Sequence, residues 1–301
     1  MYYGWIITIT LAITETISWG ILFYAFTVFI TPMEAELGWG RTEMTGAFSL
    51  FVVIMGVMAY PVGSWIDRRG GRWLMTAGSV LGSLLVMAWS QVTDLGMFYL
   101  IWMGLGIAAA ATLYEPAFAV VTTWFVRRRS AALALITFAA GLASTIFVPL
   151  SDALLHAHGW RNAVLMLGIV LAVTTILPHA LILRRRPSDM GLLPDGEPFN
   201  AEMPPAPQTG FTVREALHSR AFWVLTIAFT CSALAAQAIR VHIIPYLMEQ
   251  GIDASSAALA SGAIGLMQVG GRLVFAPLDS RYSGRVMVAG VMLEEIGRAH
   301  V

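Results

Sequence analysis

The sequence predicts an all-α, polytopic membrane protein, and three observations carry that prediction. Apolar residues make up 57% of the 301 residues and charged residues only 12%, about half the charged share of an ordinary soluble domain. Mean hydropathy is +0.73. The apolar residues are gathered in runs of about 20 or more, the length an α-helix needs to cross the hydrocarbon core. A helix satisfies its backbone donors and acceptors within its own segment, as lipid requires.

Taken in order, such runs fall at about 4 to 30, 44 to 66, 73 to 91, 96 to 126, 131 to 155 and 162 to 183, so a six-helix bundle is expected over 1–183. Residues 184–220 are polar and contain Pro187, Pro194, Pro198, Pro204, Pro205 and Pro207, which suits a solvated central linker. Two further runs follow at about 221 to 248 and 256 to 278, and then only the eight residues from Val286 to Leu293. The second bundle, 221–293, is therefore expected to be incomplete, with helices 7 and 8 and the start of 9. Residues 294–301, ending Glu295-Ile-Gly-Arg-Ala-His-Val301, break the pattern abruptly and are expected to be a non-native tail.

All eighteen basic residues are arginine and the formal net charge is zero, which gives no sign of a nucleic-acid partner. The single cysteine, Cys231, excludes a disulfide framework within the chain and a thiol pair for metal. Met1-Tyr-Tyr-Gly-Trp runs into the first apolar segment without a basic region or cleavage site, so helix 1 is expected to serve as its own insertion signal. Assigning alternate loops to one side gathers Arg68, Arg69, Arg72, Arg127 to Arg129, Arg184 to Arg186, Arg214, Arg220, Arg281 and Arg285, and leaves Arg41 and Arg161 opposite. Short cytoplasmic loops accumulate positive charge. The amino terminus and the linker are thus expected in the cytoplasm of a bacterial inner membrane, with 31–43, 156–161 and 249–255 facing outward.

Pro32 to Gly38 and Pro245 to Gly251 share one spacing, and Asp67-Arg68-Arg69 and Asp279-Ser280-Arg281 follow them at nearly one offset. That repeat points to parallel six-helix halves, a secondary-transporter architecture.

An ionisable side chain in a membrane helix is costly and faces a cavity or a partner. Glu15 lies about 17 Å into helix 1, near mid-membrane, with Trp19 and Tyr24 on the same segment; it reads as a cavity or proton site, or as a structural hydrogen bond to a neighbouring helix. Glu115 adjoins Tyr114 and Pro116, where the proline frees a carbonyl and bends the helix. It reads as a proton-coupled carboxylate or as the partner of a buried arginine. Arg240 and His242 precede Pro245, and Arg272 sits in helix 8. The two arginines offer planar forks for a carboxylate substrate, or are neutralised by Glu15 and Glu115. His156, His158 and His179 lie near helix ends or alone, without a metal-binding pair, and no phosphate-binding loop or nucleophile elbow exists. An enzyme, a metal site and a cofactor are not expected, and transport would draw on an ion or solute gradient.

Gly63-x-x-x-Asp67-Arg68-x-Gly70-x-Arg72 resembles the loop 2-3 signature of the major facilitator superfamily, and Asp279-Ser-Arg281-Tyr-Ser-Gly284-Arg285 resembles its degenerate copy in loop 8-9. Trp124-Phe125 before Arg127 to Arg129, Gly159-Trp160-Arg161 and Gly191-Leu-Leu-Pro-Asp-Gly196 are similar to the branch that includes monocarboxylate and oxalate/formate transporters. The likeness runs from Tyr2 to Leu293. It implies a monomeric transporter in the lipid bilayer, with a small-molecule substrate and protons as partners, twelve helices when complete, and alternating access. Gln268-Val-Gly-Gly-Arg272 aligns with a helix 8 segment where relatives carry an aspartate and a substrate-binding arginine; here the arginine matches and the aspartate is Gln268. The resemblance gives Asp67 and Arg68 the role of a latch between the halves that favours the outward-open state. A solute sensor without net flux and an efflux transporter are the alternative readings.

Overall fold

The computed structural model describes residues 2–196 and 213–252. Contacts divide the chain into two compact units, one up to Phe199 and one from Asn200. Among the described residues all regular structure is helical. The loop 8-9 copy, Gln268, Arg272 and the expected tail lie outside the described residues.

The first crossing is built from α1 (Tyr3–Trp19), a π-helical segment (Gly20–Tyr24) and α2 (Phe26–Leu37). It is longer than expected. Pro32 is accommodated inside α2, and the helix stops only at Gly38, whose φ of 71° is left-handed. A proline removes one helical hydrogen bond, but near a helix end the freed carbonyl can be satisfied by solvent, so the loop expected at 31–43 shrinks to residues 38–40.

The Gly63 to Arg72 signature, placed in a loop by its resemblance, is mostly helical. Helix α3 (Arg41–Arg69) runs through seven of those residues, and α4 (Arg72–Trp89) begins at the last. Only Gly70 and Gly71 connect them. At 29 residues α3 is about 44 Å long, more than the hydrocarbon core of about 30 Å, so its charged end clears the lipid without unwinding. Gly70 makes the reversal with φ 78° and ψ 169°, a region essentially reserved for glycine. A Cβ there would also lie 2.7 Å from Arg185 Cγ.

The fourth crossing is broken, as Pro116 implied. Helix α5 (Leu95–Thr112) starts with the Asp94 carboxylate accepting the Met97 N–H at 3.0 Å. It ends at Leu113, which is extended (φ −82°, ψ −158°), and α6 (Tyr114–Trp124) takes over. The last two crossings form one apolar stretch, Arg129–Leu181: α7 (Arg129–Gly141), α8 (Ala143–Leu171), a second π-helical segment (Ala172–Ile176) and α9 (Leu177–Leu181). Gly159, with φ 74° and ψ 162°, folds it back on itself. The outward loop expected at 156–161 is thus a single-residue reversal. Helices α3 and α5, α4 and α5, α1 and α7, and α4 and α8 pack together.

One end of this bundle is fastened around Glu36. Its carboxylate accepts the Trp160 indole N–H and, at 2.8 Å, Arg161 Nε; Arg161 Nη1 donates to the Ser90 carbonyl at 2.9 Å and its guanidinium lies 4.4 Å from the centre of the Trp160 ring. Arg185 at the other end donates to the Arg68 carbonyl, and Arg72 Nε donates to the Ala180 carbonyl at 2.8 Å.

In the second unit, α10 (Val213–His218) occupies part of the expected linker, and α11 (Arg220–Glu249) follows. The Trp223 indole donates to the Leu217 carbonyl at 2.8 Å, tying the two together. Arg240 and His242 lie within α11.

Two glycines of the loop signature therefore differ in kind. Gly63 is inside α3, where an added Cβ would meet no atom of the described residues, whereas Gly70 needs its dihedrals. Gly70→Ala is expected to destabilise the detergent-solubilised protein by about 1–3 kcal/mol, and Gly63→Ala by no measurable amount, as read from thermal unfolding of the two variants side by side.

Candidate functional site

The buried apolar residues form two main clusters. One contains Ile7, Leu11, Met75, Trp124, Phe125 and Leu183; the other contains Ile21, Leu22, Val86, Trp89, Trp102 and Leu171. Along each of three crossings the buried residues between the clusters are polar or small. In α1 these are Thr14, Glu15 and Ser18; in α4, Gly78, Ser79, Gly82 and Ser83; in the last crossing, Thr175 and His179, all buried. A polar belt thus crosses the middle of the bundle.

His179 is its centre. The ring is fully buried; Nδ1 is 2.8 Å from Ser79 Oγ and Nε2 is 3.0 Å from Thr14 Oγ1. Thr14 Oγ1 also donates to the Leu11 carbonyl at 3.3 Å, and the Met75 backbone lies within hydrogen-bond reach of the ring. The tautomer sets which partner donates at each nitrogen, and both ring nitrogens have a hydroxyl partner. The second π segment contributes to this aim: one extra residue in a turn rotates the remainder of the helix by about 100°. The sequence reading set His179 aside as isolated. The available signal was the mid-helix placement of hydroxyl residues in three separate apolar runs.

Glu15, next to Thr14, is equally buried, and neither carboxyl oxygen has a hydrogen-bond partner among the described residues. One turn further on, the Trp19 indole N–H is also buried and unpartnered there; it lies near enough to act on Glu15 without completing a hydrogen bond. Glu115 is near enough for its charge to reach Glu15. Its own side chain is exposed, in the first turn of α6 immediately after the break at Leu113. An acidic group is favoured at that end of a helix by the unpaired N–H groups and the helix dipole. Tyr114 closes the group, its ring 4.9 Å from Trp19 and 5.0 Å from Phe118. The structure sets Glu15 beside Trp19 and within electrostatic reach of Glu115.

Tyr24 falls in the first π segment, half-buried, with its ring 5.4 Å from that of Phe23; no described contact joins it to Glu15. Asp67 and Arg68 are exposed on the last turn of α3.

Removing the imidazole should leave a buried hydroxyl short of a partner, which costs about 1–3 kcal/mol. His179→Leu is expected to lower stability in detergent by that amount, and His179→Gln by less, because an amide keeps a donor and an acceptor. Equal stability of wild type and His179→Leu in chemical unfolding would count against the bridge.

A profile described as Major Facilitator Superfamily matches residues 6–293. Human monocarboxylate transporter 11 is 28% identical over 276 residues, covering 90% of this chain and 55% of its own length. The MFS-type transporter YcxA of Bacillus subtilis is 24% identical over 286 residues, covering 89% and 63%. The crystal structure of a bacterial homologue of the human lysosomal transporter Spinster, inward-facing and unoccupied, superposes with a TM-score of 0.64 at 17% identity, over 93% of this chain and 64% of that one. At such identity the likeness concerns the fold. The chain spans roughly half to two-thirds of the length of these relatives, which are membrane transporters rather than enzymes. With nearly its whole length matched, this multi-pass membrane chain belongs to the Major Facilitator Superfamily.

Proposed function

We propose that the protein is a secondary active transporter of a small organic carboxylate, coupled to protons through Glu15 and working by alternating access. The observation that carries this reading is a carboxyl group buried at mid-membrane whose oxygens have no hydrogen-bond partner among the described residues. Unpaired buried polar atoms are rare and call for an explanation, and a carboxyl that gains and loses a proton supplies one. Glu115, at the break in the fourth crossing, is the second acidic group within electrostatic reach, so loading one carboxylate with a proton eases the charge on the other. Several relatives are named monocarboxylate transporters, which supports an organic anion as cargo.

On the substrate side the proposal assigns the anion to Arg240 and Arg272, whose guanidinium forks suit a carboxylate. Asp67 and Arg68 act at the cytoplasmic end as the latch. In this reading that end lies on the cytoplasmic side of a bacterial inner membrane, and the positive charge of the arginine-rich loops supports it.

The experiment is uptake into liposomes containing the full-length protein and a pH dye. Short carboxylates are expected to drive proton entry. Glu15→Gln keeps the shape but cannot ionise, so it should reduce gradient-driven uptake at least tenfold while leaving exchange of labelled for unlabelled substrate intact. Loss of both activities together, or of neither, would reject proton coupling at Glu15. Arg240→Ala and Arg272→Ala should each abolish uptake, and unchanged uptake of every carboxylate tested would reject the anion assignment.

A further inference from the structure

The motif Gly191 to Gly196 has no part in the transport site, yet its carboxylate has a specific place. Asp195 Oδ2 accepts the N–H groups of Val126 at 3.0 Å and Arg127 at 2.8 Å, and Oδ1 accepts that of Arg128 at 3.2 Å. Those three consecutive N–H groups lie in the turn between α6 and α7. Successive backbone N–H groups form a concave anion site, and the anion here is the chain's own. Asp195 holds φ at 62°, the only non-glycine residue with positive φ among those described. Such a conformation persists where its surroundings enforce it.

The chain start joins the same knot. Tyr2 hydroxyl donates to the Trp124 carbonyl at 2.8 Å and reaches the Leu193 carbonyl at 3.5 Å, its ring packs edge-on against Phe125 at 5.5 Å, and a Cβ on Gly196 would lie 2.8 Å from the Tyr2 ring. Three segments distant in sequence, around residues 2, 126 and 195, meet at one end of the bundle.

We propose that Asp195 is an anchor that fastens the first part of the central linker to the amino-terminal bundle, so that residues 184–196 travel with that bundle when access alternates. The idea of travel rests on the transport reading; the anchor itself does not. Partial burial works to raise the Asp195 carboxyl, but the N–H groups of Arg127, Val126 and Arg128 and the Arg127 charge outweigh it and hold its pKa below the ordinary 3.8. A depressed pKa means that the anchor's contribution is fully present above the ordinary value and is lost only as pH falls through the lower folded value, so it is closed at neutral pH. Next to it, burial and the Asp195 charge push the Tyr2 hydroxyl up to about 12, so that group stays a donor.

Hydrogen exchange of the purified chain in detergent tests this. Asparagine tolerates positive φ, so Asp195→Asn removes the charge with little backbone penalty, and Asp189→Asn, an exposed linker acid, is the control. Charge-assisted hydrogen bonds are the strong ones. Exchange at residues 126–128 is expected to rise about tenfold or more in Asp195→Asn, with residues 193–196 also faster, while α4, α5 and the Asp189→Asn protein exchange as wild type. Trypsin should cut after Arg127 and Arg128 correspondingly faster. No change at 126–128, or an equal rise throughout α4 and α5, would overturn the anchor. Because no transport is measured, a protein that moved no carboxylate could still show it, and the two proposals fail separately.

Discussion

The constraint on which this structure depends is that backbone polar groups in lipid must find partners without water. It dictates helices everywhere the chain crosses, and it limits where they can be interrupted. The interruptions that do occur each have a local chemical cause. Glycines 38, 70 and 159 supply positive φ, and Pro116 cannot donate to the carbonyl four residues earlier. The two π segments keep the chain hydrogen-bonded while changing its register. The reversals at 38–40, 70–71 and 159 take only one to three residues and reflect the same pressure, since a longer unwound stretch near the interface would expose more unpaired groups.

Inside this frame the polar belt is a deliberate expense of stability. Buried hydroxyls and a buried imidazole contribute little net energy unless all are matched, and around His179 they are. Glu15 is not matched among the described residues. The contrast separates two kinds of buried polar group: a hydrogen-bonded network that joins three helices, and an adjoining carboxyl without a partner among the described residues. Its neighbours Trp19 and Tyr114 supply a rigid aromatic wall.

Hydropathy made the crossings visible, and the cost of burying a charge made Glu15 visible, because both effects are large and local; Glu115, drawn from the same argument, is exposed. The break beside Pro116 was legible for the same reason. Loop lengths were not, since charge marks where lipid ends and says nothing of where the helix ends; α3 carries Asp67 to Arg69 on its last turn without unwinding. His179 was missed because its role depends on Thr14 and Ser79, which stand 165 and 100 residues away, and hydroxyl side chains barely register in an apolar run. The grouping of Tyr24 with Glu15 ignored the register change that begins at Gly20.

The two-residue join between α3 and α4 has a mechanical meaning. The turn has only Gly70 and Gly71, and Gly70 holds dihedrals open to glycine alone, so the two helices are joined like the arms of a crank. Any axial push on the exposed, charged end of α3 is delivered to α4, and α4 carries Ser79 to the His179 ring. The charged end of α3 is thus separated from the helix that carries Ser79 by two residues alone.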